Sequence, residues 1–141
     1  MTALLRLACW CLLWLAGAVA AAPKLVIDAV TLAPGACSEQ RLGRGVTLPD
    51  DWRQLGIHPP AVYCYRAQLT LPAVPHEPWA LRVDRLPGNH RITVNGQVLS
   101  TRHMEGEAIT SMAPLPYLTE LPVNVLHAGH NDIAIDVRMN P

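Results

Sequence analysis

The apolar positions of this chain follow two patterns. Residues 7–22 form one uncharged, almost wholly apolar run, entered after Arg6 and closed by Ala18-Val19-Ala20-Ala21-Ala22. Beyond Lys24 the apolar residues come in short alternating runs instead. From Val62 to Leu71, Tyr63, Tyr65, Ala67, Leu69 and Leu71 fall on one parity and Cys64, Arg66, Gln68 and Thr70 on the other. A period of two predicts a half-buried strand, because successive side chains leave opposite faces of the pleat. Trp79 to Leu86 alternates as Trp79, Leu81, Val83 and Arg85 against Ala80, Arg82, Asp84 and Leu86. Asn131 to Arg138 sets Ile133, Ile135 and Val137 against Asp132, Ala134, Asp136 and Arg138, and Lys24 to Leu32 alternates loosely through Leu25, Ile27 and Val30. Arg91 to Ser100 is the sharpest signal: Ile92 and Val94 precede Asn95-Gly96, and Val98 follows. Asn-Gly between apolar alternations predicts a hairpin on a type I′ turn, in which both central residues have positive φ.

What separates these runs excludes long helices. The 13 prolines are spread so that few gaps hold an uninterrupted helix. Several short strands divided by turn residues predict an all-β sandwich or barrel. Thr101 to Leu121 is aperiodic and reads as a loop crossing one end of the sandwich. Val123 to His127 reads as one helical turn stopped by Gly129, and Gly129 with Asn131 suits the turn into the last strand.

The first run has the layout of a secretory signal peptide, with a basic start, a short apolar stretch and a small-x-small cleavage site. It is short for a membrane span. The expected organisation is a leader over residues 1–20 and one domain over 21–141, exported to the periplasm or secreted; an uncleaved N-terminal anchor is the competing reading. Two of the four cysteines lie in the leader, which leaves Cys37 and Cys64. In an oxidising compartment that pair predicts a disulfide, worth about 3 kcal/mol by loop entropy; two independent thiols are the alternative. A zinc site has no supporting CxxC or HxxxH spacing. Without Arg6 the charges are 10 basic against 11 acidic, so nothing favours nucleic acid as a partner.

Three blocks carry a resemblance. The first is Leu48-Pro49-Asp50-Asp51-Trp52 with Tyr63-Cys64-Tyr65-Arg66 and Leu69-Thr70-Leu71-Pro72. The second is Asn89-His90-Arg91-Ile92-Thr93-Val94-Asn95-Gly96-Gln97-Val98-Leu99. The third runs from Pro114-Leu115-Pro116-Tyr117 to Leu126-His127-Ala128-Gly129-His130-Asn131-Asp132-Ile133. Together, over about Leu48 to Arg138, they resemble the galactose-binding-like jelly roll. That fold supplies the sugar-binding domain of family 2 glycoside hydrolases and extracytoplasmic sensory domains of bacterial membrane-bound histidine kinases and diguanylate cyclases. The resemblance implies a ligand-sensing or carbohydrate-binding module with a carbohydrate or other small molecule as ligand. The sequence stops at Pro141, so the expectation is a freestanding exported module or the sensory head of a truncated receptor. The alternative function is a structural or protein-interaction sandwich with a periplasmic or membrane protein as partner.

Candidate chemistry is sparse. His127, His130 and Asp132 sketch a metal corner, but Gly129 breaks the spacing, and no metal or cofactor is expected. Glu105 and Glu107 offer a carboxylate pair for acid–base work only if buried, and Ser100 and Ser111 lack a nucleophile elbow, so the expectation is not an enzyme. Sugar sites combine an exposed aromatic face with a few fixed polar groups. Trp79 at a strand start, Tyr117 in the crossover, and Arg85, Asn89 and His103 near strand ends are therefore the candidate ligand residues. Trp52 and Tyr65 read as core anchors, and Arg66 as an ion-pair partner for Asp84 or Asp136.

Overall fold

The computed structural model describes residues 24–104 and 114–139. The leader over residues 1–20, Glu105, Glu107 and Ser111 lie outside the described residues. Among the described residues eight antiparallel strands form two sheets: β1 (Ala29–Pro34), β2 (Arg44–Thr47), β3 (Ala61–Leu71), β4 (Trp79–Leu86), β5 (His90–Val94), β6 (Gln97–Arg102), β7 (Leu115–Leu121) and β8 (Gly129–Met139). Six strands make the large sheet in the order β2-β1-β3-β8-β5-β6, and β4 and β7 make a second sheet of two. This is the predicted all-β jelly-roll sandwich. Among the described residues no helix is long and apolar enough to cross a membrane.

Alternation built the strands as expected. On β3 the odd residues face inward, where Leu69 and Leu71 join Val94, Leu121, Val125, Leu126 and Ile133 in one buried cluster. A second cluster, Leu86, Ile92 and Val137, fills the other end. Asn95 and Gly96 both have positive φ, 49° and 82°, as the type I′ hairpin requires.

The differences come from irregularities that period-two counting misses. The register of β5 on β6 slips between Ile92 and Thr93, so Leu99 packs against the core while Val98 is 52% exposed. A second slip between Val83 and Leu86 on β4 buries Leu86 and leaves Arg85 exposed, reversing the expected parity. Each is the signature of a β-bulge, which adds one residue to one strand and flips everything beyond it. The stretch Thr101 to Leu121 is not a continuous loop, since β6 runs to Arg102 and β7 occupies Leu115–Leu121. Pro116 hid that strand, yet an edge position tolerates a proline. The first strand begins at Ala29 rather than Lys24, and β2 was not anticipated. The predicted helical turn is a 3-10 turn over Val123–Val125, ending before Gly129.

The outer face of the large sheet carries the disulfide. Cys37, in a 3-10 turn (Cys37–Glu39), is bonded to Cys64 of β3, and the pair packs with Ala33 and Ala134. Arg66 pairs with neither Asp84 nor Asp136. Its Nη2 donates to the Cys37 carbonyl at 2.5 Å, Asp136 accepts the Cys37 N–H at 2.5 Å, and Asp84 pairs with Arg82 at 2.7 Å. Cys37, Cys64 and Asp136 sit close enough to suggest a metal cluster, but both sulfurs are used by the disulfide.

Candidate functional site

Two strands cannot roof six. Neighbouring strands lie about 4.8 Å apart, so β4 and β7 span only part of the inner face of the large sheet. The rest is closed by loops, chiefly residues 50–57, where Ile57 is buried and donates its N–H to the Trp52 carbonyl at 2.8 Å. The Cys37–Cys64 disulfide closes a stretch of chain that contains this segment.

The register places side chains in two inward rows at this end. Tyr63, Val137, His90 and Arg102 share one row, and Tyr65, Ile135, Ile92 and Ser100 the next. Trp52 descends from the loop onto the tyrosines, its ring centroid 5.3 Å from that of Tyr63 and 6.4 Å from that of Tyr65. The Trp52 indole N–H donates to the Tyr65 hydroxyl, which donates in turn to Asp50 Oδ2 at 2.6 Å. Burial, then the bond to Asp50, pushes the Tyr65 hydroxyl up from its ordinary range, so it remains a neutral donor. From the other side, Tyr117 of β7 lays its ring against His90, centroids 4.4 Å apart and planes at 69°, and shares a 2.7 Å hydrogen bond with Ser100 Oγ. Trp52, Tyr65 and Tyr117 are all half-buried against the same floor of Leu86, Ile92 and Val137.

His90 lies beneath this arrangement, 1% exposed. Its Nδ1 bonds the Pro87 carbonyl at 2.8 Å, and its Nε2 is buried with no partner. Burial holds its pKa below the ordinary histidine value. The Pro87 carbonyl opposes that, and the charges of Arg102 and His103 add to it.

The five candidate ligand residues divide. Tyr117 is half-buried in this end, Asn89 is buried beside His90, and His103, exposed with φ of 48°, follows Arg102 at the end of β6. Arg85 is exposed on the β4 bulge at the same end. Trp79 stands apart. It pairs with Leu121, four residues along β4 from the Val83–Tyr117 pair, about 13 Å at 3.3 Å per residue. There it covers the far core cluster rather than a rim. Sequence reasoning missed Trp52, Tyr63, Ser100 and His90 as site residues. The inward parity of Tyr63 and Tyr65 was visible, but the loop that stacks Trp52 on them was not. The metal corner is not formed: His130 Nδ1 bonds Thr70 at 3.0 Å, and His127 Nδ1 lies 3.1 Å from Asn95 Nδ2.

No protein-family model matches the sequence, and no curated protein matches it either. Solved structures do. A β-D-mannosidase from Dictyoglomus thermophilum matches with a TM-score of 0.59 and 12% identity, over 81% of this chain and 15% of that one. A Faecalibacterium prausnitzii β-glucuronidase matches at 0.58 and 13%, over 84% and 22%. An FMN-binding β-glucuronidase from the same species matches at 0.54 and 17%, over 79% and 17%. The chain thus spans less than a quarter of the length of these glycosidases. At such identities the likeness is one of fold: the β-sandwich seen here resembles part of each of these glycosidases.

Proposed function

We propose that this protein is an exported, non-catalytic carbohydrate-binding module that takes its ligand at the Trp52–Tyr117 end of the sandwich. The observation that carries the reading is the shared floor. Half-exposed aromatic rings from two sides meet over Leu86, Ile92 and Val137, with Asp50, Ser100 and Arg102 at hand as polar groups. Apolar walls with a few convergent polar groups are the ordinary make-up of a small-molecule site. His103 and Arg85 extend its rim, and Asn89 lies buried beside His90; Trp79 takes no part. Export is supported by the signal-peptide pattern and by the Cys37–Cys64 disulfide, since such bonds persist in oxidising compartments. A sensory head of a receptor uses the same site, with the signal passed through a partner.

Residues 21–141 contain two tryptophans, Trp52 and Trp79. A Trp79→Phe variant therefore makes Trp52 the sole reporter in the mature domain. Addition of a binding oligosaccharide shifts its emission and raises Tm. A panel of neutral and acidic oligosaccharides that changes neither overturns the reading.

One observation favours a protein partner instead. β7 exposes Leu115 at 55% and Leu118 at 66% on a two-stranded sheet. Exposed apolar edge strands invite pairing with another chain. Under that reading Leu118→Glu abolishes co-purification of the partner and leaves oligosaccharide effects untouched.

A further inference from the structure

At the Trp52–Tyr117 end, Tyr117 bridges the two sheets. Its ring meets His90 of β5 and its hydroxyl meets Ser100 of β6. His90 is fixed from behind by the Pro87 carbonyl, so its Nδ1 carries the proton and its Nε2 is the bare nitrogen. That nitrogen is buried without a partner. Neutral imidazole tolerates this, since an unpaired acceptor is the milder fault. Imidazolium does not, because Nε2 then becomes a charged donor in a dry seam with nothing to accept from it.

We propose that His90 is a proton-operated latch between the sheets: neutral, it lets Tyr117 close on β5, and protonated, it drives β7 away and opens the end that holds Trp52, Tyr63 and Tyr65. Among the described residues no anion contacts the imidazole to hold its charged form, and Asp50, at the same end, accepts from the Tyr65 hydroxyl. On β6 the charged neighbours are Arg102, paired directly with His90, and His103, both of which oppose a further positive charge. On β7 the facing group is the Tyr117 phenol. On β8 the paired residue is Val137, with Asp136 and Arg138 on alternate positions directed to the outer face of the sheet. β4 ends in the buried, apolar Leu86, with Asp84 and Arg85 exposed just before it, and on β5 itself Arg91 points outward. The depressed pKa of His90 agrees with this geometry but adds no new contact. The latch stands whether or not the ligand of this end is a carbohydrate.

The test follows the mature protein from pH 7.5 to 4.5 by NMR. The histidine side chains are assigned individually, and amide exchange of β7 is read relative to β1 and β3 after correction for intrinsic rates. His90 titrates below its ordinary value, and β7 exchange accelerates as it does. Each unit of depression corresponds to about tenfold more opening, since a unit of pKa is a tenfold change in the coupled equilibrium. His90→Phe keeps an aromatic ring against Tyr117, cannot titrate, and flattens the β7 profile. His90→Gln, whose amide can still donate to Pro87, does the same and serves if the first variant fails to fold. His103→Gln leaves the acceleration in place. The proposal is overturned if β7 exchange has the same pH profile in wild type and in whichever variant folds. It is equally overturned if His90 titrates at or above its ordinary value, which would mean that the Tyr117 ring holds the imidazolium as a cation–π partner.

Discussion

The two ends of this sandwich treat buried polar groups in opposite ways. At the hairpin end Asn131 is wholly buried and fully satisfied. Its Oδ1 accepts from Asn95 Nδ2 at 2.8 Å and from the His127 N–H at 2.9 Å. Its Nδ2 donates to the carbonyls of His127, Gly129 and Leu69 at 2.8, 3.2 and 3.4 Å. Asn95 extends the network to the Val125 carbonyl and the Asp132 N–H. At the other end His90 is as deeply buried and leaves one nitrogen unpaired. A network with every partner present fixes one geometry. An unpaired buried nitrogen instead makes the local structure depend on protonation and on what binds nearby. Under the latch proposal the hairpin end is scaffold, and the Trp52–Tyr117 end is where the molecule responds.

The comparison is tested most severely at Asn131. Asn131→Ala strands the His127 N–H and several carbonyls in a dry interior, so unfolding free energy falls by about 3–5 kcal/mol in urea denaturation. A loss under about 1 kcal/mol means that water reaches this network and that the two ends are not different in kind. Next comes the Cys37→Ser, Cys64→Ser double variant, with a loss of about 3 kcal/mol. If the disulfide holds the 50–57 loop over β3, the variant also frees Trp52 and red-shifts its emission before global unfolding; unchanged emission separates the loop from the disulfide.

The difference between the ends also marks how much of the fold the sequence carries. The hairpin end was legible because its determinants are local: Asn95-Gly96 dictates positive φ, and Ile133, Ile135 and Val137 alternate without interruption. The candidate site was not, because it depends on two bulges and a returning loop. Counting parity puts Val98 and Arg85 inside, yet the slips at Ile92/Thr93 and Val83/Leu86 bring Leu99 and Leu86 in instead. Tyr117 was chosen for its chemistry and expected in a loop, and it lies on β7. Trp79 was chosen by the same rule and lies on the scaffold half. His90 carried no signal at all, since burial and a missing partner are properties of packing. Truncating the bulged residue checks the register directly. Leu99→Ala costs about 2 kcal/mol, and Val98→Ala stays within about 0.5 kcal/mol; equal losses would restore the uninterrupted alternation.

The smallest predicted change in stability is also the most selective. Tyr117→Phe removes one hydroxyl from a half-buried bond, and the Ser100 hydroxyl left behind can turn toward water. The loss is therefore about 1 kcal/mol, well below that at Asn131. Ser100→Ala costs no more, and the double variant costs about the same as either alone, because both changes delete the same bond and deletions of a shared contact do not add. The phenyl ring still meets His90, so the pH dependence of stability keeps its sign. The folded-state pKa of His90 lies below its unfolded value, hence the unfolded chain binds more protons, and stability is lost as pH falls through the ordinary histidine range toward the folded pKa. Oligosaccharide binding behaves differently: it weakens in Tyr117→Phe if the hydroxyl faces the ligand. A variant with nearly native stability, a native pH slope and impaired binding places Tyr117 in the site; one with full binding confines it to the seam. The corresponding change at the hairpin end, Asn95→Asp, exchanges the amide donor for a carboxylate facing the Val125 carbonyl and Asn131 Oδ1, so it lowers stability and leaves binding alone.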